Sequence, residues 1–200
     1  THPDSFKSRK PLRVGDKSYV HFSLPAAEKN GLPGISRLPF SLKVLLENLL
    51  RNEDGNTVTA EDIRAVAEWL DARTSNREIA FRPARVLMQD LTGVPAVVDL
   101  AAMRSAIQRL GGKPRRINPQ IPADLVIDHS VQVDSFGLRD SYTRNISKEI
   151  ERNRERYALL RWAQQAFHNF SLVPPGMGIC HQVNLEHIAR VVQVRDRGGR

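Results

Sequence analysis

Three consecutive segments set the limits on what this chain can fold into: ARVLM at 84–88, VPAVVDLAAMRSAIQRLGG at 94–112, and LVI at 125–127. The first is short, apolar and preceded by Pro83, which suits a buried strand. In the second, Val97, Leu100, Ala101, Ile107 and Leu110 share a broad face and Gly111-Gly112 supplies a stop, so a helix is expected. The third is again strand-like and ends abruptly on polar residues. Strand, helix, strand is the signature of a parallel crossover, and it predicts an α/β fold with a mostly parallel sheet in a layered α/β/α arrangement.

The flanking segments fill in this frame. Pro11, Gly15, Pro25, Gly31, Pro33, Gly34 and Pro39 break residues 1–40, which read as an irregular N-terminal arm with one short hairpin. The α/β portion is then expected to occupy 41–200. Leu42, Leu45, Leu46 and Leu49 fall on one face of a helix that stops near Asp54-Gly55. A second helix opens at Thr59, with Asp62 three residues on as its capping partner and Ile63, Val66, Ala67 and Leu70 as its buried stripe. A long charged helix is expected over 145–167, with Ile146, Ile150, Tyr157, Leu160 and Phe167 facing inward. Pro174, Pro175, Gly176 and Gly178 then form a stiff loop feeding a strand that carries His181.

Composition excludes several classes. Hydrophobic residues are 40% and charged residues 26%, and no apolar window of about 18 residues could cross a bilayer. The N-terminal ten residues lack the apolar run of a secretory signal, and the first residue is Thr1, which leaves open a longer natural chain. A soluble, cytoplasmic protein without a membrane partner is expected. The single cysteine, Cys180, rules out an internal disulfide framework and cannot by itself supply the thiolates of an iron-sulfur cluster. The net charge of +8 favours anionic partners, either polyanions such as RNA or small polycarboxylates, although basic residues spread along a chain also simply aid solubility.

Carboxyl ends of parallel strands surround the ligand crevice of open α/β sheets. Three polar pairs stand at such places: Gln89-Asp90, Asp128-His129 and His181-Gln182. A carboxylate beside an imidazole orients the ring and stabilises its protonated form, as a general acid near neutral pH requires. The Asp128-His129 pair equally suits a turn cap and a structural histidine. Gln89 offers a donor and an acceptor without charge, fitting for a carboxylate or hydroxyl, and His181 follows glycines that permit close ligand approach; both also have ordinary structural readings. Cys180 and His181 are adjacent in a strand and point to opposite faces, so they form no dyad. Phosphate-loop, dinucleotide and zinc spacings do not occur.

Five stretches carry a resemblance: RLPFSLKVLLENLLRNEDG, RPARVLMQDLTGVPAVVDLAAMR, NPQIPADLVIDHSVQVD, ERNRERYALLRWAQQAF and VPPGMGICHQVNLE. Together they resemble the N-terminal part (domains 1 to 3) of the aconitate hydratase family, of the type that includes the iron-regulatory protein. The likeness runs from about Asp4 to Val194 and leaves out only the RDRGGR tail. It implies a monomeric hydro-lyase of the tricarboxylic acid cycle that interconverts citrate and isocitrate through cis-aconitate on a 4Fe-4S cluster. It further implies that Gln89 contacts substrate, that Asp128 and His129 protonate the departing hydroxyl, and that His181 lines the same pocket.

The cysteines that would bind the cluster, the substrate-binding arginines and the serine base of the family have no counterpart in this sequence, and Cys180 matches no ligand position. The chain is therefore expected to be a truncated piece, inactive alone, that acts together with the remaining aconitase domains. Alternatives within the same resemblance are 2-methylcitrate dehydration, and RNA stem-loop binding in a cluster-free state.

Overall fold

A computed structural model describes residues 2–127, 131–175 and 192–195, and divides the chain at Arg82/Pro83 into two units, Thr1–Arg82 and Pro83–Arg200. Both rest on helices and strands whose local signals are plain in the sequence, and each has its own core.

The first unit begins with an antiparallel hairpin of β1 (Arg9–Val14) and β2 (Lys17–Phe22), in register from Arg9 opposite Phe22 to Val14 opposite Lys17. Only Gly15 of the two turn residues has positive φ, at 61°, the pattern of a type II′ turn in which glycine avoids a Cβ clash. A short helix α1 (Leu24–Lys29), capped by the Ser23 hydroxyl, and a 3₁₀ turn at Ile35–Arg37 follow. The first forty residues are integral to this unit. Phe6, Ala27, Leu32, Ile35 and Leu38 are buried with Leu46, Leu49 and Leu50 of α2 (Phe40–Asn52) and Ile63, Val66 and Leu70 of α3 (Ala60–Ala72).

Two polar devices close this core. Asn48, buried on α2, donates to the Arg82 carbonyl at 2.7 Å and accepts from the Arg82 amide at 3.0 Å, so its amide is satisfied on both sides. It also shifts the buried stripe of α2 toward Leu50, which the leucine spacing did not include. At the start of α3, the Thr59 hydroxyl accepts from the Asp62 amide at 3.3 Å while Asp62 accepts from the Thr59 amide at 2.8 Å, a complete capping box as the sequence predicts.

The second unit is built on a parallel sheet with strand order β3 (Val86–Gln89), β4 (Ala123–Val126), β5 (Phe170–Val173). The predicted crossover is present: α4 (Asp90–Arg109) joins β3 to β4. It starts at Asp90, four residues before the expected Val94, and carries Pro95 inside. Leu125 of the central strand and Ile127 just beyond it, Val97 of α4, and Leu160 and Ala163 of α6 (Arg154–Ala166) share one core, so α4 and α6 cover the same face of the sheet. Gly93 allows α4 to approach this closely, because a Cβ there would lie 2.5 Å from Leu125 Cδ1.

Two expectations are corrected. The long helix over 145–167 is two helices, α5 (Ser141–Arg152) and α6, which meet at Asn153. Asn153 turns its side-chain amide back to the Glu149 carbonyl at 3.2 Å, competing locally with helix continuation. The inward face of α5 is polar: Asn145 and Glu149 are buried and Ile150 is 48% exposed. Asn145 accepts from the amides of Asp134 and Ser135 and donates to the Ser135 carbonyl, pinning the preceding loop. Leu110, expected to face inward from α4, is 83% exposed. The third strand, β5, lies just before the loop expected over 174–178, in residues for which no element was expected.

Candidate active site

Parallel pairing brings the carboxyl ends of the three strands to one level. Gln89 is opposite Val126, and Val126 is opposite Val173. Pairing continues one residue further, where the Ile127 amide donates to the Val173 carbonyl at 3.2 Å. Gln89 is half-buried at this edge, with extended backbone (φ −81°, ψ 165°) as the residue that precedes α4, and its carbonyl accepts from the Thr92 hydroxyl at 3.2 Å. A neutral amide held at a strand tip can orient a carboxylate or hydroxyl without adding charge.

Asp128 and His129 follow Ile127 directly in sequence, and both lie outside the described residues, as do His181 and Gln182. Of the four predicted site residues, Gln89 is the one whose environment is described.

Beneath Gln89 lies a polar network that sequence reading missed. Asp90, 7% exposed, occupies the first turn of α4, where the helix dipole favours a carboxylate. Arg156 of α6 donates to Asp90 Oδ2 at 3.0 Å and to Glu149 Oε1 at 3.2 Å. The Tyr157 hydroxyl donates to the same Glu149 oxygen at 2.9 Å. Burial pushes the Tyr157 phenol up to about 12, and the Glu149 carboxylate adds to the rise, so this hydroxyl stays protonated as a donor. The network ties the start of α4 to both later helices. Its signal in the sequence, the charged run RNRERY, reads as solvent-exposed helix pairing, and nothing local indicates that Arg156 reaches a residue 66 positions away.

No group of three or more His, Cys, Asp or Glu that could hold a metal occurs among the described residues. The whole chain has one cysteine, too few for a four-iron cluster, which is held by three or four thiolates. The residues present therefore do not fit such a cluster. No helix among the described residues is long and apolar enough to cross a membrane.

Comparison with known proteins gives a consistent result. Residues 61–195 match the model of the aconitase family (aconitate hydratase). The chain is similar to aconitate hydratase A of Bradyrhizobium diazoefficiens, with 63% identity over 192 residues that cover 96% of this chain and 21% of the relative. It is 59% identical over 197 residues to aconitate hydratase A of Pseudomonas aeruginosa, covering 98% and 22% respectively. Against aconitate hydratase A of Escherichia coli the identity is 61% over 185 residues, covering 92% and 21%. The chain thus spans about a fifth of the length of these curated relatives.

Proposed function

We propose a function from one premise: this chain belongs to the aconitase family (aconitate hydratase). It forms part of a hydro-lyase that interconverts citrate and isocitrate through cis-aconitate in the tricarboxylic acid cycle. Its share of that work is substrate contact and proton transfer. The observation that carries this reading is the common level of three parallel strand ends, with Gln89 at the tip of β3 and the sequence Asp128-His129 following the end of β4.

Loss of water from a tertiary alcohol requires a proton for the departing hydroxyl. In this reading His129 donates it, Asp128 orients the ring and favours its protonated form, and His181 lines the same pocket. The Gln89 amide holds a carboxylate or hydroxyl of the substrate. The family's cluster is not held by this chain's residues, which include one cysteine. The names of the relatives, all aconitate hydratase A, favour citrate over 2-methylcitrate as the substrate.

The experiment is kinetic and uses the complete enzyme in which this chain is embedded. His129→Gln is expected to lower kcat on citrate by roughly 10²–10⁴-fold, the usual contribution of a positioned general acid. Gln89→Ala is expected to raise KM. Wild-type kcat in His129→Gln would overturn the assignment, and faster turnover of 2-methylcitrate than of citrate would reassign the substrate. The isolated 200-residue chain, mixed with ferrous iron, sulfide and citrate, is expected to develop neither cluster absorption nor cis-aconitate.

A further inference from the structure

Parallel strands have two ends, and the candidate active site uses one. At the opposite end, where the chain enters β4 and β5, Arg104, Arg115, Gln165, Ala166 and His168 line a cavity of about 340 Å³. The Ala123 amide donates to the Asn169 carbonyl at 2.8 Å, which ties the two entering segments together. The volume falls at the lower end of the range for small-molecule sites, about 300–1,000 Å³.

Arg104 is built into this place. Its guanidinium stacks over the Phe167 ring at 4.2 Å. Its Nε and Nη2 donate to the Ile117 carbonyl at 3.1 and 3.0 Å, and Nη2 also donates to the Ala166 carbonyl at 2.8 Å and Asn118 Oδ1 at 3.2 Å. Those bonds use two of its three nitrogens and hold the guanidinium plane rigid, while Nη1 has no hydrogen bond among the described residues. The side chains of Arg115 and His168 likewise have no hydrogen bond or ion pair there, and no carboxylate lines the cavity. Arg51, Arg77, Arg82, Arg144 and Arg152, by contrast, each meet an acidic partner.

Two guanidinium groups around one cavity, with no acid among its lining residues, repel one another unless an anion sits between them, and the imidazole adds a hydrogen-bonding nitrogen. One of the two is already locked by its own hydrogen bonds, so little further ordering is needed to bind. We propose that this cavity binds a small oxyanion, presented as a phosphate or a carboxylate group, through Arg104 Nη1, Arg115, His168 and the Gln165 amide. The planar fork of arginine suits both oxyanions. This site is separate from the strand-end site and does not rest on the hydro-lyase reading.

The test uses the 200-residue chain, titrated at fixed ionic strength in chloride with inorganic phosphate and, in a second arm, with citrate, while backbone amide resonances are followed. Saturable shifts are expected at Arg104, Arg115 and residues 165–168, and the arm in which they saturate identifies phosphate or carboxylate. Arg115→Gln is expected to weaken binding by about tenfold, as loss of one charge-assisted contact does. Arg139→Gln, which removes the same charge from an exposed site elsewhere, is expected to leave it unchanged. His168→Gln provides a second weakening variant. Shifts that fail to saturate in both arms, or equal weakening by Arg139→Gln and Arg115→Gln, would overturn the proposal.

Discussion

Arg156 Nη1 stands 3.0 Å from Asp90 Oδ2, joining α6 to the first turn of α4 just behind Gln89. The same guanidinium reaches Glu149, so one cation serves two buried carboxylates. Arg156→Met removes that cation and leaves both carboxylates in a poorly solvated place. Breaking a fully buried pair costs roughly 3–5 kcal/mol; with 28% of the Arg156 side chain exposed, a loss of about 2–3 kcal/mol is expected. The urea midpoint of unfolding measures it, and a loss below about 0.5 kcal/mol, typical of an exposed pair, would contradict the network.

Gly93 decides how close α4 comes to the sheet. On an open helix surface, Gly→Ala stabilises by roughly 1 kcal/mol. Here the new Cβ would lie 2.5 Å from Leu125 Cδ1 and 2.7 Å from its Cγ, and Leu125 is fully buried. Gly93→Ala is therefore expected to destabilise by about 1–3 kcal/mol. Thermal unfolding of the single variant and of the pair with Leu125→Ala checks this, since the smaller partner should relieve part of the clash and give a measurable coupling.

The capping box of α3 links stability to pH. Thr59→Ala should cost about 1 kcal/mol at neutral pH, read from urea unfolding. The Asp62 carboxyl is held below its ordinary range, first by the Thr59 amide and then by Arg77, against the opposing effect of burial. Its folded pKa lies below its unfolded value, so its contribution is present above about pH 4 and is lost as pH falls through the folded pKa. Asp62→Asn should therefore show a shallower fall in unfolding midpoint below about pH 4 than the parent chain.

Tyr157 behaves in the opposite direction. Its phenol is raised to about 12, so its contribution to stability is complete below about pH 10 and is lost as pH climbs through the folded value. An alkaline titration of phenolate absorbance should contain a late component near 12 that vanishes in Tyr157→Phe. The same substitution removes a donor to Glu149 and should cost about 1–2 kcal/mol near neutral pH.

Local signals determined the elements with their own punctuation. The Thr59/Asp62 cap, the stripe of Ile63, Val66 and Leu70, and the identities of β3, α4 and β4 as strand, helix and strand are each written in residues a few positions apart, and the α/β class follows from their order. They also placed Gln89 at a strand end, which the structure retains.

Tertiary structure decided what local patterns cannot encode. The polar inner face of α5 exists because Asn145 and Glu149 meet partners outside α5, in the preceding loop and in α6. Strand β5 is a strand through pairing with β4, 47 residues away, since four residues have little intrinsic preference of their own. Arg156, read as a surface charge, becomes a buried anchor only when α6 packs beside α4. Periodicity reports which face of an element is apolar; burial of a charge depends on what meets it, and that is set by contacts between segments distant in sequence.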